Sequence, residues 1–151
     1  MITIRRAILD DLDTLLPLFD GYRTFYEQPV DRARSRAFLE ARLARGESVV
    51  FLADLDDGTA AGFTQLYPMF SSVRAARVWV LNDLFVAPVA RRRGVAGALL
   101  EAARAFARDD GAIRLELETT PDNASAQALY RDAGWRRYDG TLRFHLPLTG
   151  D

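Results

Sequence analysis

The chain predicts a single α/β domain of three layers, with about seven strands and four helices. Three observations carry this expectation. Short apolar or alternating runs bounded by turn residues are interspersed with longer stretches whose apolar residues recur every three or four positions. The two patterns are mixed along the chain rather than segregated into halves. A strand, a helix and a further strand follow one another between Val78 and Thr119, a crossover that implies a parallel pair. With 151 residues, 49% of them hydrophobic and 27% charged, the chain has the size and composition of one globular domain, read as residues 1–151.

Taken in order, Ile2 to Ile8 alternates as a strand, and Asp10-Asp11 supply the cap of a first helix. Leu12, Leu15, Leu16, Phe19 and Tyr26 form its apolar stripe, with Pro17 expected to kink or split it. Tyr22, Phe25 and Tyr26 crowd its far end. Packing in the core explains them simply, and so does lining a substrate cleft. Asp31 caps a second helix running to about Arg45 and ended by Gly46. Val49 to Leu55 and Ala60 to Met69 are two strands of a hairpin turned at Asp56-Asp57-Gly58, and Ser71 to Ala76 is a loop.

Val78 to Val86 is the most apolar segment and reads as a central strand, interrupted by Asn82 and Asp83. Polar groups there need partners, so the two are either structurally satisfied or functional. A helix then runs to about Asp109. Ile113 to Thr119 is the next strand, the stretch after Pro121 is a helix ending at Gly134, and Trp135 to Tyr138 and Leu142 to Leu148 are two final strands.

Composition removes several function classes. The formal net charge is −1, which argues against a general nucleic-acid binder. With no cysteine and a single histidine, His145, neither thiol chemistry nor a zinc site is expected, and no metal is. No apolar run reaches the roughly 20 residues of a membrane helix. The start MITIRRAILDD lacks the apolar core of a signal peptide, so a cytoplasmic protein is expected. All 20 basic residues are arginine.

One stretch is a poor structural design unless it binds something. Arg91-Arg92-Arg93 stand directly before Gly94, with Val95, Ala96 and Gly97 opening the helix. A helix N-terminus carries partial positive charge and disfavours three arginines. Glycines in a first turn cost roughly 1 kcal/mol each relative to alanine. Both oddities make sense for an anion lying on the exposed backbone N–H groups, which makes this a phosphate-binding corner. Neither the Gly-x4-Gly-Lys-Ser/Thr loop nor the Gly-x-Gly-x-x-Gly fingerprint is present.

The corner spells Arg-x-x-Gly-x-Ala at Arg91, Gly94 and Ala96. It resembles the pyrophosphate motif of the GNAT superfamily of acetyl-CoA-dependent N-acetyltransferases. A second segment, NASAQALYRDAGW, is similar to that superfamily's other cofactor-binding region through Asn123, Ala126, Leu129-Tyr130 and Gly134-Trp135. Asn123 and Tyr130 lie seven residues apart, about 700° of helical turn, hence on one face roughly 10 Å apart. Read as plain structure, Asn123 is a capping residue and Tyr130 a packed aromatic. The run LNDLFVAP most resembles a small-amine and histone-type subgroup.

The resemblance implies a mixed, twisted sheet flanked by helices, whose central parallel pair splays apart, with acetyl-CoA in the notch. Its pantetheine would pair with the backbone of Leu84, Phe85 and Val86, and its pyrophosphate would rest on the amides from Arg91 to Gly97. Tyr130 matches the residue that protonates the leaving thiolate, and a backbone N–H near Phe85 or Val86 would stabilise the oxyanion. Relatives carry a Glu or His base at positions matching Val80 or Asn82, where this chain has neither. Asp83 is the candidate base in their place, with Glu27, Glu116, Glu118 and water chains as further candidates.

Tyr22, Tyr26, Glu27 and Asn82 are the candidate acceptor contacts, with the turn at Asp139-Gly140 as a further wall. Acidic groups there favour a cationic acceptor, a small amine or polyamine, with a protein lysine as the alternative. A homodimer is expected, with no nucleic-acid or membrane partner. Two rival readings are a non-catalytic acyl-CoA-binding domain and a nucleic-acid protein using Arg91–Arg93 with Arg136-Arg137.

Overall fold

The computed structural model describes residues 1–150, which fall into two compact units, one of Met1–Glu118 and one from Thr119 onward. The first contains β1 (Ile2–Arg6), α1 (Leu12–Phe25), α2 (Arg32–Ala44), β2 (Val49–Leu55), β3 (Ala60–Ser71), β4 (Ala76–Val86), α3 (Val95–Asp109) and β5 (Arg114–Glu116). The second contains α4 (Ala124–Asp132). One five-stranded sheet runs in the order β1-β2-β3-β4-β5, antiparallel throughout except for the parallel β4–β5 pair. The class is therefore the expected mixed α/β sheet with four helices, with five strands rather than about seven.

Alternation along the strands makes the layers. Val50, Leu52 and Phe63 pack with Leu15, Leu16, Phe19 and Leu39 of α1 and α2. On the opposite face Ala53 and Ala61 pack with Val95 and Leu99 of α3, joined by Leu84 and Val86. Trp79 ties the end of α3 to this face, its Nε1 donating to Asp110 Oδ2 at 2.8 Å and its ring lying against Phe106.

Three expectations need correction. Pro17 does not split α1, which runs unbroken from Leu12 to Phe25. Pro17 and Asp13, whose carbonyl loses its helical donor, are both exposed, while Leu12, Leu15, Leu16, Leu18 and Phe19 bury the opposite side and hold the helix together. The strand expected over Ile113 to Thr119 is only Arg114–Glu116, because its ladder with β4 ends at Val80↔Glu116. Finally, Trp135 to Tyr138 and Leu142 to Leu148 form no strands among the described residues. A strand is defined by a neighbour, and no described strand pairs with them.

The candidate acetyl-transfer site

β4 runs on for six residues after its pairing with β5 stops, so Leu81–Val86 has a bare edge on that side. This is the splay expected of the central pair. The direction of each backbone group follows from the ladder. The Ala87 N–H donates to the Ala61 carbonyl at 2.8 Å, and antiparallel pairs exchange bonds at every second residue. Phe85, opposite Phe63, therefore directs its amide to β3, whereas Leu84 and Val86 direct theirs to the open edge. Of the two donors expected for the oxyanion, Val86 has the right direction and Phe85 points away from the notch. The Phe85 ring lies on the α1 face, where a Cβ on Gly21 would sit 2.7 Å from its Cζ, so that glycine is what lets helix and strand close.

The corner after β4 is strained and open. Pro88–Ala90 makes one 3₁₀ turn, and the Arg91 Nε donates to the Val86 carbonyl at 3.2 Å, folding the first arginine back over the strand end. Arg92 (φ 63°) and Gly94 (φ 81°) both adopt the left-handed conformation, and no side chain caps the start of α3. A left-handed arginine costs of order 1 kcal/mol, which marks the turn as shaped for something other than stability. Gly94 is required by its φ. Gly97 is not: a Cβ there would meet nothing within 4 Å, so nothing in the chain demands its small size. Space above an uncapped helix start, flanked by Arg91, Arg92 and Arg93, fits a pyrophosphate.

On the α1 face the structure joins Tyr22, Asn82 and Asp83. Asn82 is the extra residue of a β-bulge, since Gln65 pairs Asp83 while Leu66 pairs Leu81. Without it Asp83 would share the face of Trp79 and point towards α3. The bulge turns the carboxylate to the α1 side and leaves Asn82 exposed. Asp83 is 2% exposed and accepts from Gln65 Nε2 at 2.7 Å (Oδ2) and Asn82 Nδ2 at 2.8 Å (Oδ1). The Tyr22 hydroxyl donates to the Asn82 carbonyl at 3.1 Å. Burial pushes the Asp83 pKa up, against the opposing hydrogen bonds from Asn82, Gln65 and Tyr22. Burial, with the Asp83 charge, likewise raises the Tyr67 phenol.

Gln65 is fully buried, and its Oε1 has no hydrogen-bond partner. It belongs to this cluster although nothing singled it out in the sequence. The signal was there, a Thr-Gln pair inside the apolar run Ala60–Met69. Thr64 is tied in as well, its hydroxyl donating to the Asp83 carbonyl at 2.7 Å.

The aromatic end of α1 continues outward from this cluster. Tyr22 meets Tyr26 edge to face at 5.1 Å, Phe25 meets Tyr26 in the same way, and both outer rings are exposed. Glu27 follows, exposed and left-handed (φ 62°). Among the other base candidates, Glu116 is paired to Arg114 at 2.7 Å. In the second unit Asn123 caps α4, its Oδ1 accepting from the Ala126 N–H at 3.1 Å, so its capping role is real. Tyr130 stands on the same helix with its ring 6.2 Å from that of Trp135, and Asp139 pairs with Arg137. Among the described residues no cluster of His, Cys, Asp and Glu is placed to hold a metal.

Comparison with known proteins places this geometry. The model of the Acetyltransferase (GNAT) family matches residues 15–135. The chain belongs to the GNAT family. It is 45% identical over 143 residues to the uncharacterized N-acetyltransferase YhfO of Bacillus subtilis (strain 168), covering 95% of each chain. It is 30% identical over 149 residues to an aminoglycoside N(6')-acetyltransferase type 1 of Stenotrophomonas maltophilia, covering 97% of this chain and 94% of that one. A crystal structure of a probable acetyltransferase, 44% identical, overlays 99% of both chains with a TM-score of 0.94. This GNAT chain is accordingly an acetyl-CoA-dependent N-acetyltransferase, and no helix among its described residues is long and apolar enough to cross a membrane.

Proposed function

We propose that this enzyme acetylates a primary amine of a small cationic acceptor, a polyamine or similar small amine, by direct attack on acetyl-CoA. The observation that carries the reading is the ladder between β4 and β5 ending at Val80↔Glu116, with the Leu84 and Val86 backbone aimed at the bare edge just before the Arg91–Gly97 corner. Acetyl-CoA supplies the activated acetyl group as a thioester. Leu84 and Val86 hold its pantetheine arm as a strand would be held, and the Val86 N–H faces the carbonyl oxygen. Arg91, Arg92, Arg93 and the amides of Gly94, Val95, Ala96 and Gly97 hold its pyrophosphate, with Asn123 and Ala126 completing the cofactor contacts. The Tyr130 hydroxyl gives a proton to the departing thiolate, a phenol of pKa ≈ 10 and a thiol near 8.5 being close enough to share it.

The acceptor amine arrives charged and must lose a proton. Asp83 is enclosed, so its access runs through its neighbours: the amine gives a proton to the Tyr22 hydroxyl oxygen, whose own proton passes to the Asp83 carboxylate. Its raised pKa makes that carboxylate a better acceptor. Tyr22, Tyr26, Glu27 and Asn82 border the acceptor, aromatic faces and acidic charge both favouring a cation. The relative named as an aminoglycoside acetyltransferase supports the same class, since aminoglycosides are polycationic amines. The reading takes the enzyme as a cytoplasmic homodimer acting on small molecules.

Acetyl-CoA-dependent thiol release across a panel of polyamines, aminoglycosides, amino acids and a lysine peptide tests it. Turnover confined to the lysine peptide, or a preference for anionic acceptors, would defeat the substrate assignment. Binding of acetyl-CoA without turnover of any amine would favour the non-catalytic alternative.

A further inference from the structure

Gln65 has no part in the mechanism so far, and as plain structure it is a costly residue. It lies inside the apolar run Ala60–Met69, fully buried, and its Oε1 has no hydrogen-bond partner. A buried acceptor left bare offsets most of the gain from the hydrogen bond made by the other half of the amide. A methionine of the same length would fill the space without that penalty. The amide is explained by what it does to its neighbour.

That neighbour is Asp83, which β3 grips twice. The Thr64 hydroxyl donates to the Asp83 carbonyl at 2.7 Å, and the Gln65 Nε2 donates to its Oδ2 at 2.7 Å. Oδ1 accepts from Asn82 Nδ2 at 2.8 Å. The titratable groups facing the carboxyl are the phenols of Tyr22, on α1, and Tyr67, further along β3, while Arg42 of α2 acts on Tyr67. Two amide donors suit a carboxylate. They do not suit a carboxylic acid, because a proton arriving on either oxygen meets an N–H where it needs an acceptor. At 2% exposure, bulk water cannot stand in for one.

Gln65 can repair the mismatch without giving up another bond. Turning its amide over about the last side-chain torsion exchanges Oε1 and Nε2, groups of nearly equal size, and leaves the backbone where it is. Oε1 has no partner to lose, so it can swing onto Oδ2 and accept the proton there, while Oδ1 keeps its bond from Asn82.

We propose that Gln65 is a positioning residue for the proton step: its amide donates to the Asp83 carboxylate until the acceptor's proton arrives, then turns over and accepts from the carboxylic acid. This rests on the reading of Asp83 as the proton's destination. The proton leaves the ammonium nitrogen for the Tyr22 oxygen and the Tyr22 hydroxyl proton moves to Asp83, which leaves a neutral amine, an intact phenol and a neutral carboxyl. Release of that proton back through Tyr22 returns the amide to its first orientation. Burial, which favours the uncharged carboxyl, works in the same direction.

Gln65→Met, Asp83→Asn and the double variant test it, assayed from about pH 6 to pH 10 with acetyl-CoA and the amine of the panel above that turns over fastest. Gln65→Met should lower kcat/KM at neutral pH by about 10–100-fold, the cost of a misaimed proton acceptor. The loss should shrink near pH 10, where much of the amine arrives already neutral. In the Asp83→Asn background the same substitution should cost less than about 2-fold, since no carboxyl is left to receive a proton. Equal losses at every pH, equal losses in both backgrounds, or wild-type rates in Gln65→Met beside an impaired Asp83→Asn would each overturn the proposal while leaving Asp83 as the base. Wild-type rates in Asp83→Asn would remove the base itself, and the proposal with it. If Gln65→Met fails to fold, or no amine turns over, carbon NMR of the wild type decides. The Gln65 Cδ resonance should move downfield, as a carbonyl does on gaining a donor, with the same midpoint as the Asp83 Cγ resonance. A Gln65 resonance that stays fixed or moves upfield while Asp83 titrates would overturn the proposal.

Discussion

Gly97→Glu should make this protein more stable and, at the same time, unable to bind acetyl-CoA. Gly97 is exposed, lies in the first turn of α3 and has nothing within 4 Å of where its Cβ would be. Replacing glycine in a helix gains roughly 0.5 kcal/mol from backbone propensity. A carboxylate in an uncapped first turn adds about 0.3–1 kcal/mol through the helix dipole. The apo protein should therefore gain about 1 kcal/mol, a rise of roughly 2–4 °C in melting temperature for a chain of this size. In wild type, acetyl-CoA at 100 times its dissociation constant should add about 2.7 kcal/mol, or roughly 5–11 °C. In the variant that second shift should vanish, because the new carboxylate occupies the anion's place and repels it. Differential scanning calorimetry with and without acetyl-CoA reads both effects. A lower apo melting temperature would mean that the space above Gly97 is not open, and a retained ligand shift would mean that the pyrophosphate lies elsewhere.

Asp83→Asn should lower kcat/KM by 10²-fold or more at neutral pH, with partial recovery at high pH as free amine replaces ammonium; wild-type rates at every pH would remove Asp83 from the mechanism. Stability should move the other way. The raised folded pKa of Asp83 means its contribution is fully present below its unfolded value and lost as pH rises through the folded one, so the variant should gain on wild type in denaturant titrations as pH climbs. The Gln65 amide, with Oε1 unpartnered, can turn over to accept from the new side chain. Tyr130→Phe should leave the acetyl-CoA dissociation constant nearly unchanged and reduce kcat by roughly 10²–10⁴-fold; unchanged turnover with chemistry rate-limiting would reduce Tyr130 to a packed aromatic. Arg92→Gly should raise the melting temperature by relieving a left-handed arginine of order 1 kcal/mol, while weakening acetyl-CoA binding; a destabilised variant would show that the turn is held by the side chain rather than strained by it. For wild type, kcat/KM should climb towards alkaline pH as free amine replaces ammonium, and a flat profile would show that loss of the acceptor's proton does not limit the reaction.

Much was legible in the sequence because it depends on neighbours along the chain. The periodicities of α1, α2 and the β2–β3 hairpin, the Asp31 and Asn123 caps and the glycine turn that opens α3 are local features, and each is found where the residues place it. The two motifs in order were enough to indicate the family. Tertiary structure decided whatever depends on another strand. The one-residue bulge at Asn82 is invisible in composition, yet it flips Asp83 to the α1 face and recruits Gln65 from β3, two strands' register acting together. Ladder pairing decided that β5 is three residues long, and that Val86 rather than Phe85 offers its amide to the notch. It also decided the fate of Leu142 to Leu148. Alternation in a sequence specifies a surface that can become a strand, but the hydrogen bonds that make it one belong to a neighbour the segment cannot encode alone.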